Sequence, residues 1–133
     1  PLNGDEEAFY NRFSKRDLEI LQYCCDRIRQ AAGPRRVYLF TIPVAQDFNA
    51  ALKLGYDFRI VKALREFARK RPNLIYEDLL DDLLLHARKT GVDYRDYTLG
   101  CDPHWGKLGN RVAADAVRRT VYGVEADSRG REG

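Results

Sequence analysis

Asp102 and His104 stand two residues apart in "CDPHWGKLGN", and His104 is one of only two histidines in the chain. A carboxylate beside an imidazole is the acid–base half of a nucleophilic triad. The acid holds the near ring nitrogen, fixes the tautomer and steadies the imidazolium once the far nitrogen has taken a proton. Pro103 fixes its own φ and pushes Asp102 toward an extended conformation, in which residues two apart point to the same side. Trp105 is expected beneath the loop, and Gly106 and Gly109 permit a tight entry into the helix that follows. The competing reading of the same residues is a loop-capping aspartate beside an ordinary, partly buried histidine.

A triad also needs a nucleophile, and none is obvious. Ser14 reads as a helix cap, and Ser128 lies in a polar tail. Thr41 closes an apolar strand, the end where α/β proteins bind ligands, but no base adjoins it in sequence. Cys101 is near His104, and a thiolate forms readily beside an imidazolium. In an extended loop, however, its side chain points away from that of Asp102. Cys101-x-x-His104 lacks a second ligand pair at zinc spacing. Cys24 and Cys25 read as small apolar helix residues. Three thiols without a disulfide framework fit a reducing compartment and favour the cytoplasm.

These residues require elements to place them. In "SKRDLEILQYCCDRIRQAAG", Leu18, Leu21, Cys24, Cys25, Ile28 and Ala32 recur at helical spacing, with Ser14 and Asp17 as a capping box and Gly33–Pro34 as the stop. "RRVYLFTIP" reads as a strand buried on both faces. "VAQDFNAALKLG" is taken as a loop, and Phe58, Ile60, Val61, Leu64, Phe67 and Ala68 as a second helix. "NLIYED" is a short strand and "DLLDDLLLHARKTG" a third helix. Residues 94–99 are a candidate third strand, and Val112, Ala113, Ala116, Val117 and Val121 mark the last helix. Alternation of this kind predicts an α/β domain with parallel strands, although its sheet is thin.

The 133 residues suit one domain, and 44% hydrophobic with 32% charged residues is a globular balance. A net charge of +3, from 23 basic and 20 acidic side chains, is too even to indicate nucleic acid. The densest basic stretch, "REFARKRP", reads as a solvated helix end. No apolar run reaches membrane-span length, and "PLNGDEEAFY" has no signal-peptide pattern.

"DPHWGKLGNRVAADAV", set just before the last helix, resembles the Asp/His block of SGNH (GDSL-type) hydrolases. It is most similar to their Asp-x-His-Trp branch, which includes the alginate O-acetyltransferase-like proteins. Upstream, "VYLFTIPVAQDF" and "LIYEDLLDDLLLHARKTGVDYRDYTLG" resemble the strand and run-in that precede the block, so the resemblance spans roughly 15–122. Many relatives carry Asn at the position of Gly106 and His at that of Asn110.

The resemblance implies a three-layer α/β/α fold with a short, incomplete parallel sheet. Residues 1–124 would form one domain, the C-terminal portion of the family fold, and 125–133 a flexible tail. It implies ester hydrolysis or acyl transfer by a Ser-His-Asp mechanism, with His104 as base, Asp102 as its orienter and no cofactor or metal. The substrate would be an ester or an acylated small molecule or carbohydrate. Gln46, Asp47, Asn49 and Trp105 would contact it. The family's Gly-Asp-Ser block and its oxyanion-hole blocks are absent here. Three explanations stand: a preceding segment completes the sheet and supplies the serine; the chain is a degenerate copy that binds; or it is a small α/β interaction module. Open sheet edges favour self-association or a partner segment.

Overall fold

A computed structural model describes residues 8–55 and 57–123. The fold is mixed α/β, with six α-helices, one 3-10 turn and a two-stranded parallel sheet among the described residues. The chain divides between Leu80 and Asp81 into two compact units. The tail expected at 125–133 lies outside the described residues.

In the first unit, the 3-10 turn Phe9–Asn11 precedes α1, Lys15–Ala32. The predicted capping box is present: the Asp17 backbone N–H donates to Ser14 Oγ at 3.1 Å, and the Ser14 N–H donates to the Asp17 carboxylate at 2.8 Å. Each bond satisfies a donor that the helix start would leave unpaired. Strand β1, Val37–Thr41, runs parallel to β2, Leu74–Asp78, with Val37 opposite Leu74 and Thr41 opposite Asp78. Alternation puts Val37, Leu39, Leu74 and Tyr76 on one face. There they pack with Leu21 and Cys25 of α1 and with Phe67 and Ala68 of α3, Arg59–Arg69. Burying a side chain such as Phe67 stabilises by about 1.5–3 kcal/mol.

Two expectations are corrected in this unit. All five β1 residues are half-exposed rather than buried on both faces, because the sheet among the described residues has only two strands. The expected loop after β1 is a helix, α2, Ala45–Leu54. Asp47 starts it by accepting the Val44 N–H at 3.0 Å, Gly55 ends it in the left-handed region at φ 63°, and Phe48, Ala50 and Ala51 are buried. Its small alanines give little apolar contrast, so the period was easy to miss. Of the two adjacent cysteines, Cys25 is buried and Cys24 is exposed.

The basic end of α3 is only partly solvated. Arg69 and Lys70 pair with Glu66 at the surface and hold its carboxyl down at about 2. Arg71 instead forks onto Asp26 of α1 at 2.7 and 2.8 Å, donates to the Phe67 carbonyl at 2.9 Å and stacks on the Phe67 ring. The planar guanidinium suits all three contacts at once.

The second unit contains the body of α4, Leu79–Thr90, the short helix α5, Tyr94–Tyr97, and α6, Lys107–Tyr122. Residues 94–97 are therefore helical, not a third strand. Asp93 caps them by accepting the Tyr94 N–H at 2.7 Å, while Asp96 accepts the Asp93 N–H at 2.8 Å. Only Thr98 keeps strand character, in one antiparallel bridge to Trp105. Arg119 of α6 pairs with Asp82 of α4. No helix among the described residues is long and apolar enough to cross a membrane.

Candidate functional site

The segment from Thr98 to Gly106 is a small closed loop. Its neck is the Thr98–Trp105 bridge, with the Leu99 N–H donating to the His104 carbonyl at 3.0 Å and the Gly106 N–H to the Tyr97 carbonyl at 2.8 Å. Below the neck, the Trp105 indole N–H donates to the Tyr94 hydroxyl at 3.2 Å, and the Asn110 amide donates to the Trp105 carbonyl at 3.0 Å. Tyr94 is buried. Helix α6 approaches so closely that a Cβ on Gly109 would lie 2.5 Å from the Tyr97 carbonyl oxygen and 2.9 Å from Trp105 Cγ.

Above the neck, residues 101–104 bend rather than extend. Asp102 Oδ1 accepts the backbone N–H of His104 at 2.9 Å and also contacts His104 Nδ1. The first bond is a side-chain turn of the kind aspartate favours before a bend. The second puts the ring proton on Nδ1, since an ionised carboxylate only accepts. In the neutral ring this leaves the lone pair on Nε2, and no protein group among the described residues bonds to it. The His104 N–H, and secondly its ring, hold the Asp102 carboxyl below the usual carboxylate range. The pair is open to solvent: the side chain of His104 is 82% exposed and that of Asp102 49%.

Trp105 joins Asp102 and His104 as the anchor of their loop. The other residues singled out for binding belong to the first unit, at the start of α2. Gln46 is exposed there. Asp47 is fully buried, with Oδ1 on the Tyr10 N–H at 2.7 Å and Oδ2 on the Val44 N–H. Burial pushes its carboxyl up, against the pull of those two N–H groups. Asn49 is half-buried, and its Oδ1 is enclosed without a partner among the described residues. Cys101 is exposed.

Two polar clusters were not visible in the sequence. At the ends of the paired strands, Asp78 Oδ1 accepts from the Tyr10 hydroxyl at 2.9 Å, from Thr41 Oγ1 at 2.9 Å and from the Leu80 N–H at 3.2 Å. Thr41 also meets the Tyr76 hydroxyl at 2.8 Å. With the Thr41 proton directed to Asp78, the Tyr76 hydroxyl is the donor in that last bond. Burial, and then the Asp78 charge, push the Tyr10 phenol well above its ordinary value. The faint signal for this cluster was an aspartate ending an apolar strand. The other cluster is His86 with Tyr97. The fully buried Tyr97 donates to the Leu83 carbonyl at 3.1 Å, so His86 Nδ1 donates to the Tyr97 oxygen at 2.8 Å.

No group of three or more His, Cys, Asp or Glu side chains among the described residues is placed to hold a metal ion. The fold and site define a small α/β protein with a carboxylate–imidazole pair on a braced loop. No family model, curated protein or solved structure matches the chain.

Proposed function

We propose that this chain supplies the acid–base half of an SGNH-type ester hydrolase or O-acyltransferase. His104 is the general base, Asp102 orients it, and a serine outside residues 1–133 is the nucleophile. The observation that supports this reading is the Asp102 contact to His104 Nδ1, which leaves Nε2 unprotonated and accessible. In the reaction, Nε2 takes the serine proton as the oxygen attacks the ester carbonyl. Asp102 stabilises the imidazolium, which then protonates the departing alkoxide. Water, or an acceptor hydroxyl, repeats the sequence on the acyl-enzyme. The substrate is an ester or an acylated carbohydrate. In this reading the sheet belongs to a three-layer α/β/α arrangement, completed by a segment carrying the Gly-Asp-Ser strand.

A second reading, a non-catalytic α/β binding or scaffold module, draws on the exposure of the pair and on the ordinary turn geometry of Asp102. Fluorophosphonate labelling of the protein as encoded, beside its His104→Ala variant, separates the two. The catalytic reading expects a His104-dependent adduct that maps to a serine outside residues 1–133. An adduct within those residues would refute the external nucleophile. The absence of any adduct would favour the binding module.

A further inference from the structure

We infer that Tyr94 is a positioning residue for His104, acting through the Trp105 indole. Its catalytic meaning rests on the base role proposed for His104, but its geometry stands apart from that role. Asp102 and His104 bond to each other within the loop, so their mutual contact fixes the ring relative to the loop and not relative to the protein. The loop is fixed to the second unit at its neck.

Two of the neck contacts, Leu99 to His104 and the Thr98–Trp105 bridge, join one loop strand to the other and travel with it. The ties that leave the loop are Thr98 to the Arg95 carbonyl through its N–H and its hydroxyl, Gly106 to the Tyr97 carbonyl, the Asn110 N–H to the Gly106 carbonyl, the Asn110 amide to the Trp105 carbonyl, and Trp105 Nε1 to the Tyr94 hydroxyl. Of these, only the last holds a side chain of the loop in a buried place. Tyr94 is 6% exposed, and its ring meets the fully buried Tyr97 ring edge-on with centroids 6.3 Å apart. The residue next to His104 is therefore pinned to a buried aromatic pair. Loss of that bond would leave the loop, and the imidazole it carries, free to shift against the second unit.

The test reads the imidazole nitrogens of His104 by ¹⁵N NMR in wild type, Tyr94→Phe, Trp105→Phe and the double variant. Tyr94→Phe keeps the ring and removes only the acceptor oxygen. The expected result is greater motion of the His104 ring nitrogens relative to the second unit in each single variant, read from ¹⁵N relaxation, with the tautomer kept because the Asp102 contact travels with the loop. The double variant should go no further than Trp105→Phe alone, because Tyr94→Phe acts through the bond that Trp105→Phe already removes. Asn110→Ala, an exposed change that spares the buried ring, should change His104 in the same direction. The His86 nitrogens, held by Tyr97, should stay in place in every variant. Unchanged His104 relaxation in Tyr94→Phe and Asn110→Ala would overturn the inference, as would an equal change at His86, which signals general loosening. If His104 responds as expected while no fluorophosphonate adduct forms, the positioning role stands and the hydrolase reading alone falls.

Discussion

One carboxylate oxygen, Asp102 Oδ1, receives both the backbone N–H and the ring Nδ1 of His104. The structural and chemical roles of this aspartate are therefore not alternatives. The same atom shapes the turn and sets the tautomer.

Asp102→Asn separates those roles. Asparagine forms the same side-chain turn, so the loop keeps its bend. The neutral amide no longer stabilises an imidazolium, and the fluorophosphonate labelling rate should fall on the order of ten-thousandfold, as in triads generally. Because the side chain is half exposed, stability should stay within about 0.5 kcal/mol. Labelling rate and urea denaturation check the two halves, and a collapse in stability would show that the turn needs the charge.

The Asp102 carboxyl lies below the usual range because its ionised form accepts the His104 N–H groups. A group whose folded value is lowered contributes in full above its unfolded value of about 3.9 and loses that contribution as pH falls through the lower, folded value. The loop should thus survive at the ordinary aspartate midpoint and open only below it. A carboxyl ¹³C titration checks this; a midpoint at or above about 3.9 contradicts the bond.

Gly109→Ala opposes two effects. Alanine gains about 1 kcal/mol of helix propensity over glycine. Its Cβ, however, would lie 2.5 Å from the Tyr97 backbone oxygen and 2.9 Å from the Trp105 ring. A backbone oxygen cannot swing aside, so overpacking of about 1–3 kcal/mol prevails and the net effect is destabilising. Urea unfolding measures it, with loss of the Trp105 indole–Tyr94 bond as the local signature.

Tyr10→Phe removes a hydroxyl donor from Asp78 Oδ1 and should cost about 1–3 kcal/mol. The phenol is raised, so its contribution is present in full below about pH 10 and is lost as pH rises beyond the unfolded value. Wild type should therefore lose stability in alkali faster than the variant does. Parallel alkaline unfolding curves would count against the bond.

Much of the framework was legible because it is local. Ser14 and Asp17 mark the start of α1 three residues apart, the apolar runs at 37–41 and 74–78 form the strands, and the last helix follows Gly106. Helix α2 carries a faint period because its alanines lack contrast, and the stretch 94–99 offers a candidate strand where Asp93 and Asp96 cap a helical turn over Tyr94–Tyr97. Asp47 shows the same limit: a polar residue after a strand suggests a binding loop, whereas its burial under Tyr10 makes it a helix-start acceptor.

By itself the sequence determined that Asp102 and His104 lie within reach of each other, two residues apart across Pro103, although the segment bends where an extended geometry is expected. Only the tertiary structure decided which distant groups come together. Tyr10 reaches Asp78 across 68 positions and Arg71 reaches Asp26 across 45. Such pairs depend on how helices pack over the sheet, and no local period encodes that. Trp105 shows the boundary between the two: its place beside His104 is local, but its hold on the protein is the buried hydroxyl of Tyr94.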